Sequence, residues 1–424
     1  MAAETGYTAF LRDLPHDWQT ARISAVAKVV GGGTPSRDVP GFWRGEIPWV
    51  TPGEVSRECS AYLSETRECI SAAGLAGSGA TVLPTGSLMI TTRATLGARA
   101  INAVPMTTNQ GFKSLVFESG MDANFYYYLA DKLKPELKRR ASGTTFLEVS
   151  GAELARIEVP VPPVLERRLI AEILNTLDTT IPQTEAIIEK LKLVKQGLLH
   201  DLLTRGIDAN GELRPPQSEA PHLYKESALG WIPFDWQCRE VGSLIDGAPR
   251  NGIYKPAGDI GAGVLLVGQT AFTSDGSVDF NRARRARISA GECETFGLLQ
   301  DDLLVSRVFA TRQGVGQPVI VPELNEPAVY ESNMMRLRVT RSGMERRLLF
   351  LWLKHRNARS WIMSRAFASN QASINRETIC SVPTPLPVPE EQRAILAAVG
   401  SSDERLREEA MALAKLQTLK SGLM

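Results

Sequence analysis

One register relates the two halves of this chain. With Glu166 laid on Glu391, an offset of 225 residues, Phe125 meets Phe350, Arg140 meets Arg365, Pro160 meets Pro385 and Pro162 meets Pro387 without a gap. The same register carries Arg168 onto Arg393, Ile170 onto Ile395, Asp178 onto Asp403, Lys190 onto Lys415 and Leu191 onto Leu416. It closes with Lys195, Gly197 and Leu198 on Lys420, Gly422 and Leu423. An earlier echo, "LPHDWQTARI" (14–23) with "IPFDWQCREV" (232–241), runs at an offset of 218, so the loops between the two anchors differ in length. Between them "GSLMITTRAT" resembles "DDLLVSRVFA", each an apolar run that leads to an arginine, Arg93 or Arg307. A fixed internal period marks a duplicated structural unit. The chain therefore reads as two copies of one module, each a variable globular part followed by a more constant helix.

The helical parts carry a seam. Positions 170, 177, 184, 191 and 198 are Ile, Leu, Thr, Leu and Leu, and positions 174, 181, 188, 195 and 202 are Leu, Ile, Ile, Lys and Leu. In the second copy Ile395, Ser402, Glu409, Leu416 and Leu423 alternate with Val399, Leu406, Leu413 and Lys420. This is an a/d heptad pattern with polar interruptions, and the lysine falls at the same d position in both copies. Two long helices with matching seams can pair with each other; the alternative is two amphipathic helices that each pack on their own domain. Residues 163–204 would span roughly 60 Å as a straight helix. Pro182 lacks an amide donor and is expected to kink or split the first helix near Asp178. The prolines ahead of each helix (Pro160, Pro162 and Pro163; Pro383, Pro385, Pro387 and Pro389) predict an extended, stiff exit from the globular part.

Between the copies, "TRGIDANGELRPPQSEAPHLY" (204–224) is polar and turn-rich and reads as a linker after a helix stop at Gly206. The globular parts hold short β-like runs, "IPWV", "SLMITT", "KSLVF", "GVLLVG", "LLVS", "PVIV" and "MRLRV", separated by Gly, Pro, Asn and Asp. Helices are expected near Phe125 to Arg140 and Arg346 to Met363. Each part reads as mixed α+β.

Charge and composition narrow the function. The net charge is +1, so the chain is not globally basic. Three clusters nevertheless stand out: "KLKPELKRR" (132–140), "RARRAR" (282–287) and Lys354, Arg356 and Arg359 in "LKHRNARSW". Together they predict a local basic face, although each alone reads more readily as solvated surface. Five scattered cysteines without a CxxC pair indicate neither a disulfide framework nor a zinc site, and a reducing cytoplasm is the expected setting. No apolar run approaches a membrane span, and the N-terminal residues show no secretion signal. There is no GxxxxGK[ST] phosphate loop, no GxGxxG after a strand, no GxSxG elbow, and the four histidines are isolated. "GGGTP" (31–35), with Gly247 and Gly252, is expected to shape loops rather than to hold phosphate.

The order of these motifs is itself specific. "WQTARISAVAKVVGGGTPSR", "EIPWVTPGEV", "TTNQGF" and "ASGTTFLEVSGAELARIEVPVPP" fill the first half; "DWQCREVGSLIDGAPRNGIYKP" and "PTPLPVPEEQRAILAAV" belong to the second. Over nearly its whole length the chain resembles the DNA-specificity subunit of Type I restriction-modification systems. One departure is Glu166-Arg167, where the second copy has Glu391-Gln392. The resemblance implies two tandem mixed α/β target-recognition domains joined by two long helices, which form an antiparallel coiled-coil spacer with an internal pseudo-two-fold repeat. The expected boundaries are 1–162 and 225–388 for the recognition domains, 163–204 and 389–424 for the helical spacers, and 205–224 for the linker.

Each domain would read one half of a bipartite, asymmetric site on double-stranded DNA. The helices would dock two methyltransferase subunits, and restriction subunits would join that core. Catalysis and the methyl donor would then belong to the partners, adenine being the implied methylated base, so a non-catalytic cytoplasmic chain with no cofactor and no metal is expected. Phosphate contacts come from cations, base contacts from Arg, Asn, Gln, Ser and Thr on loops. On that basis the first-domain candidates are Thr34, Ser36, Arg37, Arg93, Asn109, Lys113, Thr144 and Thr145. In the second domain they are Arg250, Asn251, Tyr254, Lys255, Arg307, Arg312, Asn333, Asn370 and Gln371. Arg282, Arg284 and Arg285 of "RARRAR" form either a phosphate rail or a solvated strand edge. The competing readings are a non-catalytic tandem adaptor with a coiled-coil stalk, and a self-contained DNA nuclease.

Overall fold

The structure is a computed structural model, and it describes residues 6–55, 61–93, 95–118, 123–143, 147–339, 343–367 and 371–424. The chain divides into two units, Met1–Glu185 with Met411–Met424, and Ala186–Ala410. Five helices are labelled here: α1 (Ala123–Arg140), α2 (Val164–Thr204), α3 (Arg346–Lys354), α4 (Arg356–Ser364) and α5 (Pro389–Leu423). Among the described residues no helix is long and apolar enough to cross a membrane.

The first unit is built on a five-stranded sheet in the order Ala27–Gly31, Phe112–Phe117, Leu88–Thr91, Arg99–Asn102, Tyr62–Leu63. Its central strand is buried on both faces, because successive side chains point to opposite sides. Leu88 and Ile90 join Tyr126, Leu129, Leu133 and Leu137 of α1 in one core. Met89 faces the other way, onto Val50, Leu83, Met106 and Phe112. That second core is closed by a three-stranded sheet of Glu68–Ile70, Ile47–Val50 and Thr107–Thr108.

The second unit also holds two larger sheets, of different composition. A four-stranded antiparallel sheet runs Arg250–Asn251, Met334–Leu337, Leu303–Ser306, Pro318–Ile320. A three-stranded sheet of Arg284–Ala286, Ile260–Val267 and Ala328–Tyr330 lies with it. All seven β-like runs read from sequence are strands. The helix expected over 346–363 is two helices instead, α3 and α4, broken at His355. His355 has extended backbone angles, φ −66° and ψ 145°, and its ring accepts the Asn357 N–H as a cap.

The proline-rich exits are strands as well. Gln19–Arg22 pairs antiparallel with Glu158–Val161, and Gln237–Glu240 pairs the same way with Pro383–Leu386. Proline is tolerated there because a two-stranded ribbon leaves one edge of each strand free of ladder bonds. Each long helix begins a few residues after its ribbon strand.

Pro182 does not split the first helix: α2 runs unbroken from Val164 to Thr204. Removing one amide donor is outweighed by packing on both sides of that turn. Leu174 and Leu177 are buried against Tyr128, with Ile181 and Leu416 against them. In the first unit Lys420 of α5 forms an ion pair with Asp178 of α2, and Gln417 donates to Glu185 Oε1. In the second unit Lys195 of α2 forms an ion pair with Asp403 of α5. In the first unit the pairs 178–420 and 185–417 fall in opposite order, so the segment of α5 runs opposite in direction to the segment of α2 there.

Helix α2 stops as the sequence suggests, with Gly206 at φ +67°. The stretch beyond it is anchored in the second unit. Ile207 and Arg214 are buried, and Arg214 holds the Glu391 carboxylate at 2.5 and 3.1 Å. The same carboxylate accepts the Ile207 N–H at 2.8 Å and the Trp236 indole N–H at 2.9 Å. A Cβ on Gly206 would lie 2.1 Å from Glu391 Oε1, so only glycine fits.

Candidate nucleic-acid interface

In the first unit the loop at residues 31–37 leaves the end of the strand Ala27–Gly31. It is pinned from below: Trp49 Nε1 donates to Gly33 O (2.9 Å), Trp43 Nε1 donates to Ser36 O (3.0 Å) and Gly33 N–H donates to Thr108 O (2.9 Å). The glycines are there for close approach. A Cβ on Gly32 would sit 2.0 Å from Asn109 O, and one on Gly33 would sit 2.3 Å from Ala80 N. Thr34 bonds to the Gln110 side chain. Asn109 turns its Oδ1 back onto the Gly111 N–H at 2.9 Å.

Arg37 is held tightly. Its guanidinium lies 3.5 Å from the Trp43 ring centroid and forks onto Glu68 at 2.5 and 2.9 Å. The Arg37 hydrogen bonds hold the Glu68 carboxyl below its ordinary range. Arg93 and Lys113 converge on Glu148, at 3.8 and 3.6 Å. Strand pairing sets this convergence, since Lys113 is the register partner of both Gly31 and Ile90. Thr34, Asn109, Lys113 and Arg93 thus share one end of the sheet. Thr144 and Thr145 lie outside the described residues.

The second unit also carries polar residues at one end of a sheet. Gly252 follows the strand Arg250–Asn251, and a Cβ on it would meet Glu331 O at 2.2 Å and Tyr330 O at 2.3 Å. Arg307 follows the strand Leu303–Ser306, as Arg93 follows Leu88–Thr91. Its Nε donates to Ser332 O (3.2 Å) and its N–H donates to Asn333 O (2.8 Å). Arg250, Asn251, Arg307 and Asn333 are therefore neighbours at one end of the sheet, and Arg284 joins them through its ion pair with Glu331. Tyr254 is largely exposed beside them, and Asn251 Oδ1 is buried without a hydrogen-bond partner.

Other candidates are engaged elsewhere. Lys255 Nζ grips Glu292 at 2.8 and 2.9 Å, and this bond, with the Ser289 N–H, lowers the Glu292 carboxyl to about 2. Arg312 donates to Ala366 O (3.2 Å), and Gln371 is exposed. Asn370 is outside the described residues.

Half of the cations in the expected basic face are neutralised by carboxylates, and others are held by backbone carbonyls. Arg284, Arg285 and Arg287 pair with Glu331, Glu326 and Asp259, and Arg282 donates to Phe272 O. Lys134 pairs with Asp131, while Arg139 and Arg140 share Glu136. Lys354 donates to Asp275 O. Arg359 is buried, donating to Gln313 O (2.8 Å) and Val315 O (2.7 Å), and burial brings its guanidinium down to about 10. A sequence cluster counts cations and cannot see the carboxylates folded against them. Glu148, Glu331, Trp43, Trp49 and Gln110 were missed for the same reason: each acts through a neighbour that only the fold supplies.

Each of the two units of this α+β fold gathers polar side chains at one end of a sheet. Residues 15–193 match the family model of the Type I restriction modification DNA specificity domain, and the resemblance read from the motifs is borne out. The chain is 28% identical to the MjaIX specificity subunit of Methanocaldococcus jannaschii over 57% of this chain and 56% of that one. It is 21% identical to the MjaVIII specificity subunit of the same organism over 97% and 92%. The first match thus spans little more than half of its relative, the second nearly all. In fold, the HsdS subunit from Thermoanaerobacter tengcongensis matches with TM-score 0.54 at 16% identity, over 97% of this chain and 96% of that one.

Proposed function

We propose that this chain is the non-catalytic DNA-recognition subunit of a Type I restriction-modification complex. Each globular part reads one half of a bipartite, asymmetric duplex site, and two methyltransferase subunits dock on the helices. The repeated sheet end carries this reading: a glycine loop against a backbone, an arginine after the neighbouring strand (Arg93; Arg307) and an asparagine before the paired strand (Asn109; Asn333). Arginine and asparagine are the side chains that read guanine and adenine edges in the major groove. Locked loops suit this task, since a pinned reader loses less entropy on binding.

The helices act as an antiparallel coiled-coil spacer. Support comes from the ion pairs Lys420–Asp178 and Lys195–Asp403, which occupy matching places in the repeat. Two readers on a fixed spacer require half-sites a set distance apart, in steps of about one ~34 Å helical turn when both lie on one face of the duplex. With half of the clustered cations paired to carboxylates, the partners supply much of the electrostatic attraction to phosphate.

Long-read mapping of modified bases in host DNA, with and without this gene, tests the reading. Loss of one two-part, asymmetric motif on deletion is the expected result. An unchanged methylome with the partner methyltransferase expressed would overturn it.

A further inference from the structure

The loop that leaves the strand Arg250–Asn251 carries an aromatic side chain into solvent. Tyr254 is 78% exposed, and no other aromatic ring among the described residues is as open. Among those residues its ring and hydroxyl make no hydrogen bond or aromatic contact. Such a ring offers about 150–250 Å² of largely apolar surface, which is costly to leave in water.

The backbone that presents the ring is fixed on both sides. Ile253 is buried; its N–H donates to Tyr330 O (2.8 Å) and its carbonyl accepts the Ser332 N–H (3.0 Å). On the other side Lys255 is gripped by Glu292, and Pro256 follows with its φ locked by the ring. Binding then has only the two side-chain torsions of Tyr254 to order, so a large contact area costs little entropy.

The surroundings of the ring define what it can meet. Ser332 ties this loop to Arg307, since it donates its N–H to Ile253 O and accepts Arg307 Nε at 3.2 Å. Asn333 accepts the Arg307 N–H, and Asn251 lies three residues ahead of the tyrosine with its Oδ1 buried and unpartnered. Tyr254 thus shares a sheet end with arginine and asparagine, the side chains suited to guanine and adenine edges. Stacked bases hide their faces from a groove, and phosphates are charged. The one apolar group on the base edges of the major groove is the C5 methyl of thymine. At the sheet end of the first unit Thr34 follows Gly33 instead, and its hydroxyl is already bonded to the Gln110 side chain.

We propose that Tyr254 is a specificity-determining residue of the second unit, which recognises a thymine by laying its ring against the C5 methyl group in the major groove. The inference rests on the reading given under Proposed function and adds a residue, a base and the chemistry of their contact.

The test uses the full chain assembled with its methyltransferase subunits, and duplexes carrying the motif found by methylome mapping. Each thymine of the motif, on either strand, is replaced singly by deoxyuridine, which keeps the pairing face and lacks the methyl group. At a thymine of one half-site the wild-type complex should bind about fourfold more weakly after replacement, the value of one buried methyl group. Tyr254→Ala should bind the thymine and uracil duplexes alike, and Tyr254→Phe should discriminate as wild type does. Both variants should melt near wild type, because the side chain is exposed. Equal wild-type affinity for every uracil duplex would overturn the assignment, as would the same loss in Tyr254→Ala. Fluorescence of 2-aminopurine in the site that rises with wild type and not with Tyr254→Ala would overturn it too, by placing the ring between bases. A wild-type complex that binds the motif no better than unrelated duplex overturns the functional reading itself.

Discussion

Lys195 of α2 forms an ion pair with Asp403 of α5, and at the matching positions of the repeat Lys420 of α5 forms one with Asp178 of α2. The seam lysine that looked like an exception is thus half of a reciprocal arrangement. Each lysine occupies a d position where leucine would pack better, and each carboxylate that meets it is supplied by the other helix. Charge in a seam selects one alignment over neighbouring ones. A double-mutant cycle on Lys195→Ala and Asp403→Ala should show coupling of about 1 kcal/mol in denaturant unfolding, since both side chains are mostly shielded. Lys195→Asp alone should cost more than Lys195→Ala, and Asp403→Lys should restore part of that loss.

Glu391 and Glu166 stand at matching positions but should respond differently. Glu391→Gln leaves the buried Arg214 guanidinium without its counter-charge, and a loss of about 3–5 kcal/mol is expected. Among the described residues the Glu166 carboxylate has no hydrogen-bond or ion-pair partner, so Glu166→Gln should change the stability of the chain alone by less than about 0.5 kcal/mol. Urea unfolding of the two variants side by side checks the contrast.

The stability of the second unit should fall as pH drops through the histidine range. His200 Nδ1 and His355 Nε2 lie 2.9 Å apart with stacked rings, so at least one ring must be neutral and accept. Arg356 Nη2 lies 3.0 Å from His200 Nε2, and Trp352 stacks on His355. Asp201 and Arg205 also act on His200. Burial first, then His200 and Arg356, push His355 down to about 4. The unfolded chain therefore takes up a proton near pH 6.5 that the folded chain refuses. Stability contributed by the neutral pair is complete above that pH and is lost progressively towards pH 4. On the order of 2 kcal/mol should disappear between pH 7.5 and 5 by urea titration. His355→Gln should flatten that slope.

Arg93 and Arg307 should each control one half of the target. With the assembled complex, Arg307→Ala is expected to relax selection in one half-site and Arg93→Ala in the other, each by about 1–3 kcal/mol of discrimination. Arg285→Ala should leave the motif unchanged, because Glu326 already holds that guanidinium at 2.7 and 2.9 Å. Methylome sequencing of cells carrying each variant reads the outcome directly.

Gly32→Ala and Gly252→Ala should damage one reader each. The added methyl would lie 2.0 Å from Asn109 O in the first and 2.2 Å from Glu331 O in the second, distances that backbone must move to relieve. A loss of about 2–4 kcal/mol in the affected unit is expected, read by limited proteolysis or hydrogen exchange of its sheet.

Much of the architecture was legible from residue order alone. The strand positions, the helix stop at Gly206 and the presence of a long helix after each proline joint depend on local periodicity and backbone preference, which sequence carries directly. Local rules also misled at three places. Pro182 should have broken α2, yet Tyr128, Leu177 and Leu416 hold the turn together from outside the helix. The run over 346–363 should have been one helix, yet His355 is extended so that its ring can reach His200 on α2. The basic clusters should have made a face, yet Glu136, Glu326, Glu331 and Asp259 fold onto them.

By itself the sequence determined the register that lays Glu166 on Glu391 and the heptad spacing of the helical parts, because both are properties of residue order. Tertiary structure alone decided which cations are already neutralised and which polar side chains meet at a sheet end. Those outcomes depend on partners distant in the chain, such as Glu391 with Arg214 or Arg93 with Glu148, and no local pattern records where a folded chain brings them together.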